Sequence, residues 1–121
     1  MHNNYVKKVI MDRDTHELYE ARAKILKAMA HPSRLFIIEE LQKHERCVNE
    51  LTEMIGVDIS TVSKHLSILK NAGLVTDEKR GNCIYYTLRV PCILDFMQCV
   101  EAVLANNAQG HIYIMDCCRR K

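Results

Sequence analysis

Between Gly56 and Val75 the apolar residues Ile59, Val62, Leu66 and Leu69 recur at intervals of three, four and three, which lines them along one side of an α-helix. The other side is small and polar: Ser60, Thr61, Ser63, Lys64 and Ser67. Short hydroxyls let a helix approach a surface closely, and a lysine among them neutralises phosphate. Asp58 is placed to cap the N-terminus and Gly73 to stop the helix. Any amphipathic surface helix has this pattern, so the flanking segments decide what it is for.

Upstream, Leu18, Ala21, Ile25, Leu26 and Met29 predict a first helix over His16 to Met29. Pro32 ends it and opens a second, which carries Leu35, Ile37, Ile38 and Leu41 to about Lys43. Arg46-Cys47-Val48 reads as a short extended piece, and Leu51, Met54 and Ile55 mark a third helix from about Asn49. A short helix, a glycine turn and a longer helix with a polar face make a helix-turn-helix. After Gly73 the period changes. Leu74-Val75-Thr76 and Cys83–Leu88 read as strands about a Lys79-Arg80-Gly81-Asn82 turn, a hairpin with a basic tip. Ile93, Phe96, Val100, Val103 and Leu104 then predict a last helix over 91–105, broken at Asn106-Asn107. The expected fold is mainly α with a small β-hairpin, a winged helix-turn-helix of order α-α-α-α-β-β-α. Its organisation is a flexible segment over 1–14, a winged domain over 15–106 and a cysteine-containing basic tail over 107–121.

Composition narrows this only slightly. The length suits one domain, and the apolar fraction of 48% suffices for a mostly aliphatic core, since there is no Trp. A net charge of +2 is weak support for a nucleic-acid partner, so local placement of charge must carry that argument. No apolar run reaches the ~18 residues of a membrane span, and residues 1–14 are too polar for a signal peptide; a cytoplasmic location is expected. The six cysteines include no C-x-x-C and, without export, point to free thiols, metal ligands or redox sensors rather than structural disulfides.

Four stretches together resemble the ArsR/SmtB family of bacterial winged-helix repressors. They are Leu26-Lys-Ala-Met-Ala-His-Pro-Ser-Arg-Leu35, Cys47-Val-Asn-Glu-Leu51, Ser60-Thr-Val-Ser-Lys-His-Leu66 with Leu69–Val75, and Arg80-Gly81 with Tyr85-Tyr86. The resemblance spans roughly residues 20–104. It implies a homodimer joined by the first and last helices, an operator with inverted half-sites, and repression relieved by a metal, metalloid or thiol-modifying signal. The DNA surface expected on α-helical phase and on the wing is Ser60, Thr61, Ser63, Lys64, Ser67, Lys79, Arg80 and Asn82, the last three alternatively being only a solvated tip. His65 is open between a DNA contact and an inter-helix hydrogen bond. Lys70 and Arg34 are weaker candidates.

The resemblance also tests the sensor. One family zinc site falls here on Val90, Cys92, Val103 and Asn106, which cannot make it, and a Cys-Val-Cys motif is reduced to Cys47-Val48-Asn49. A site with two cysteines in the recognition helix is excluded, because residues 57–73 contain none. The remaining thiols are Cys47, Cys92, Cys99 and the vicinal Cys117-Cys118, with Cys83 read as packed in its strand. Cys92 and Cys99 share a helix face but lie about 10 Å apart along it. Two chemistries stay open. Thiolates can bind a soft thiophile such as As(III), with Cys117-Cys118 and a distant cysteine as ligands. Alternatively, persulfide or oxidant can link Cys47 to Cys92 or Cys99. No cofactor is required. A winged helix used only as a protein-interaction module is the reading from another class, and no catalytic constellation suggests an enzyme.

Overall fold

A computed structural model describes residues 10–109. Cys117, Cys118 and the basic tail lie outside the described residues. The elements are α1 (Arg13–Met29), α2 (Pro32–Lys43), β1 (Arg46–Cys47), α3 (Val48–Ile55), α4 (Ile59–Asn71), β2 (Val75–Arg80), β3 (Cys83–Leu88) and α5 (Ile93–Gln109). The hairpin β2–β3 gains β1 as an edge, giving an antiparallel sheet of order β1-β3-β2 with Arg46 opposite Tyr86 and Cys47 opposite Tyr85. This is the winged helix-turn-helix, with one strand more than the α-α-α-α-β-β-α order.

Element ends follow local chemistry that the apolar period does not report. Asp12 accepts a hydrogen bond from the Thr15 amide at 2.8 Å, so α1 begins at Arg13, three residues before the expected start and inside the segment expected to be flexible. The hairpin turn shrinks to Gly81-Asn82, because Lys79 and Arg80 pair with Ile84 and Cys83. Only Gly81 takes a positive φ, 62°, the pattern of a two-residue turn with glycine first. Pro91-Cys92 form a turn rather than helix, and α5 starts at Ile93. It then runs through Asn106-Asn107 to Gln109 instead of stopping. Asparagine costs a helix less than about 0.7 kcal/mol per residue, too little for two of them to end it.

The core is built from three helices and the sheet. Ile37, Ile38 and Leu41 of α2, Leu51 of α3, Val62, Leu66 and Leu69 of α4, Val75 of β2 and Tyr86 of β3 close on one another, with Ala28 and Met29 from the end of α1. Burying each large aliphatic side chain contributes about 1.5–3 kcal/mol. Ile59, expected in the same stripe, is the first residue of α4 and is 48% exposed. One carboxylate is buried here. Glu40 of α2 accepts from Lys43 at 2.9 Å and from Arg46 of β1 at 3.1 Å, which ties the edge strand to α2. The Lys43 hydrogen bond above all keeps its carboxyl below the usual glutamate range.

The remaining apolar surface faces outward. On α5, Phe96, Val100, Val103 and Leu104 are each at least 40% exposed, and on α1 so are Leu18, Tyr19, Ile25 and Leu26. No helix among the described residues is long and apolar enough to cross a membrane.

Leu66 has no exposed surface, so Leu66→Ala is expected to destabilise the fold by about 2–5 kcal/mol. Urea unfolding at one fixed protein concentration measures this. A loss below about 1 kcal/mol would mean that the site is loosely packed.

Candidate nucleic-acid interface

The turn between α3 and α4 sets the recognition helix. Gly56 closes α3 in the left-handed region, φ 84°, and its amide donates to the Thr52 carbonyl at 2.9 Å. Asp58 then caps α4. Its carboxylate accepts the Thr61 hydroxyl at 2.7 Å, the Thr61 amide and the Ser60 hydroxyl. The two hydroxyl bonds, Ser60 first, hold the Asp58 carboxyl at a pKa of about 2. The hydroxyl protons of Ser60 and Thr61 are therefore spent on the cap, leaving their oxygens as acceptors. One turn further on, Ser63, Lys64 and Ser67 are exposed. Lys64 has no carboxylate partner among the described residues.

His65 lies on the opposite side and is 8% exposed. Its Nδ1 sits 3.0 Å from the Arg34 guanidinium of α2, and its ring lies 4.4 Å from that of His31. Of its two expected roles, the inter-helix hydrogen bond is the one found. Arginine only donates, so Nδ1 must accept, which puts the His65 proton on Nε2. Arg34 also donates through Nε to the Ala28 carbonyl at 2.6 Å. It is thus a tie between α1, α2 and α4 rather than a surface cation. Burial first, then His31 and Arg34, push the His65 pKa below its usual value.

On the wing, Lys79 and the turn residue Asn82 are exposed. Arg80 is not a bare tip residue. Its guanidinium meets both Glu45 oxygens at 2.5 and 3.0 Å, reaches Glu78 at 2.9 Å, and lies over the Tyr85 ring at 4.8 Å. Lys70 is held by Asp77 at 3.0 Å. Nothing in the sequence pointed to Glu45, which is 35 residues from Arg80.

A recognition helix packed on its apolar side and polar on its outer side, followed at once by a hairpin, matches known regulators. The profile described as "Bacterial regulatory protein, arsR family" matches residues 31–77. The chain is 30% identical over 104 residues to the HTH-type transcriptional regulator Rv0081 of Mycobacterium tuberculosis, covering 85% of this chain and 91% of that one. The chain belongs to the arsR family of bacterial regulatory proteins. It is 42% identical over 79 residues to the arsenical resistance operon repressor of Bacillus subtilis, covering 64% of this chain and 75% of that one. The homodimeric winged helix-turn-helix DNA-binding domain Mb0332 of Mycobacterium bovis superposes with a TM-score of 0.69 at 27% identity, covering 83% and 93%. Membership makes the chain a transcriptional regulator and not an enzyme.

The described thiols do not form a ready metal centre. Cys47 is buried at the start of α3, where its amide donates to Glu50 at 2.9 Å. Cys83 is half-buried, with the Asn49 amide 3.9 Å from its sulfur. Cys92 is exposed ahead of α5, and Cys99 is half-buried on it. Among the described residues no three His, Cys, Asp or Glu side chains come together as a metal would require. Val90, Val103 and Asn106 offer no zinc set.

The His65 geometry sets a pH dependence with a definite sign. With its folded pKa below the ordinary histidine value of 6.5, His65 stabilises the fold fully above that pH. As pH falls below it, the unfolded chain takes up a proton that the folded one resists, and stability is lost. Thermal melts between pH 8 and 5 should show this loss. His65→Gln, which can still accept from Arg34 but does not titrate, should flatten the profile, and an unchanged slope would remove His65 as its source.

Proposed function

We propose that the protein is a homodimeric repressor that binds an inverted-repeat operator and is released when a soft thiophile, As(III) foremost, engages its cysteine thiolates. The observation that carries the DNA-binding part is the division of α4. Val62, Leu66 and Leu69 are in the core while Ser63, Lys64 and Ser67 face outward. Ser60 and Thr61 accept or reorient at the helix start, Ser63 and Ser67 approach the groove, and Lys64 neutralises phosphate. Lys79, Arg80 and Asn82 extend the contact from the wing. His65 supports the surface from behind.

The exposed apolar faces of α1 and α5 support the dimer, as does the homodimeric state of the Mb0332 domain. Two recognition helices in one complex read a palindrome. The effector reading rests on the six cysteines and on similarity to an arsenical resistance operon repressor. Trigonal thiolate coordination needs a third sulfur for Cys117-Cys118, and Cys47, Cys92 and Cys99 are the candidates. A disulfide joining Cys47 to Cys92 or Cys99 needs only two cysteine sulfurs and a two-electron oxidant, which a low-molecular-weight persulfide supplies by leaving as thiol and hydrogen sulfide, and the exposed Cys92 gives that signal molecule an accessible thiol.

The test is fluorescence anisotropy of the reduced protein on its own promoter DNA. Binding should weaken steeply with salt, and Lys64→Ala should lower the salt slope by about one. Arsenite added without oxygen should release the DNA near stoichiometry. Release by persulfide but not arsenite would replace the As(III) arm with the thiol switch. Sedimentation should show a dimer that Val100→Asp converts to monomer, and a monomeric unsubstituted chain would sink the two-half-site reading.

A further inference from the structure

The wing carries two cations, Lys79 and Arg80, yet Arg80 is engaged on three sides. The edges of its guanidinium meet Glu45, from the link between α2 and β1, and Glu78, its neighbour on β2. Its face lies on Tyr85 of β3. The two carboxylates cancel the two cations, so the wing presents no net positive charge to DNA in this arrangement. The contact spans separate parts of the fold. Glu45 precedes the edge strand and Arg80 ends the strand on the far side of β3.

We propose that Glu45, helped by Glu78, is a latch on Arg80 that operator phosphate must displace, so that Glu45 sets how readily the wing engages DNA. This rests on the DNA-binding reading above. The latch side chains are 39–67% exposed, so water and salt screen them and the hold is weak. A phosphate offers the same fork of oxygens as a carboxylate, and arginine is suited to either. The exchange needs only the guanidinium edges. Tyr85 keeps the face, which holds the arm extended while its partners change. Glu45 is therefore a positioning residue that acts through Arg80, and it favours the free wing over the bound one.

A double-substitution cycle tests this by anisotropy on the promoter DNA, with circular dichroism confirming that each variant is folded. Arg80→Ala should weaken binding and lower the salt slope by about one. Glu45→Gln should tighten binding roughly 1.5- to 5-fold, the range expected for loss of an exposed pair. In the Arg80→Ala background, Glu45→Gln should change nothing. Three results would overturn the latch while leaving operator binding intact. They are weaker binding by Glu45→Gln, which makes Glu45 a scaffold; an equal gain in both backgrounds, which makes it a general repulsion; and an inert Arg80→Ala. Absence of salt-dependent binding by the unsubstituted chain would instead remove the DNA-binding reading itself.

Discussion

The burial of one side of α4 is the constraint on which the rest of the molecule depends. Val62, Leu66 and Leu69 have no exposed surface, and they reach the core only if α2, α3 and β2 close around them. With that side committed, the rotation of α4 about its axis is set. Ser63, Lys64 and Ser67 have no freedom to face anywhere but outward. A DNA-reading helix must present its side chains at a fixed angle, and here hydrophobic packing behind the helix supplies the orientation. The polar tie Ala28–Arg34–His65 adds directionality that apolar contact lacks, because a hydrogen bond to one ring nitrogen resists rotation and sliding alike.

The same economy appears at the helix start. Asp58 satisfies the Thr61 amide that the first turn leaves open, and it also orders the hydroxyls of Ser60 and Thr61. The outer side of α4 thus divides into a pre-bonded first turn and a second turn whose Ser63, Lys64 and Ser67 have no side-chain partner among the described residues. A similar division marks the wing. Lys79 is open to solvent, whereas Arg80 is occupied by carboxylates that compete with any phosphate. Charge counted along the sequence overstates the positive potential of this surface, and the pairing in space corrects it.

The apolar faces of α1 and α5 belong to a different scale of organisation. Large side chains such as Phe96 and Leu104 stay nearly half exposed or more, although the core beneath α4 is complete without them. Dimerisation is the proposal that gives these faces a partner. It would also place Cys99 of α5, and Cys92 just ahead of it, beside the surface that transmits an effector to the DNA-binding helices, so that effector and operator would compete through the dimer.

Much was legible in the chain itself. The period of Val62, Leu66 and Leu69, the cap at Asp58, the turn residues Gly56 and Gly81 and the wing strands are local features, and local features survive in a one-dimensional pattern. The helix-turn-helix and the outward position of Ser63, Lys64 and Ser67 follow from them. What tertiary structure alone decided are the partnerships between distant residues. These are His65 with Arg34, Arg80 with Glu45, Arg46 with Glu40, and the edge strand that joins the wing. It also left Ile59, at the first position of α4, outside the core. Hydrophobic period reports which side of an element is buried, because burial acts on every residue of that side. A hydrogen bond or ion pair depends on where a second element comes to lie, and no spacing along the chain encodes that.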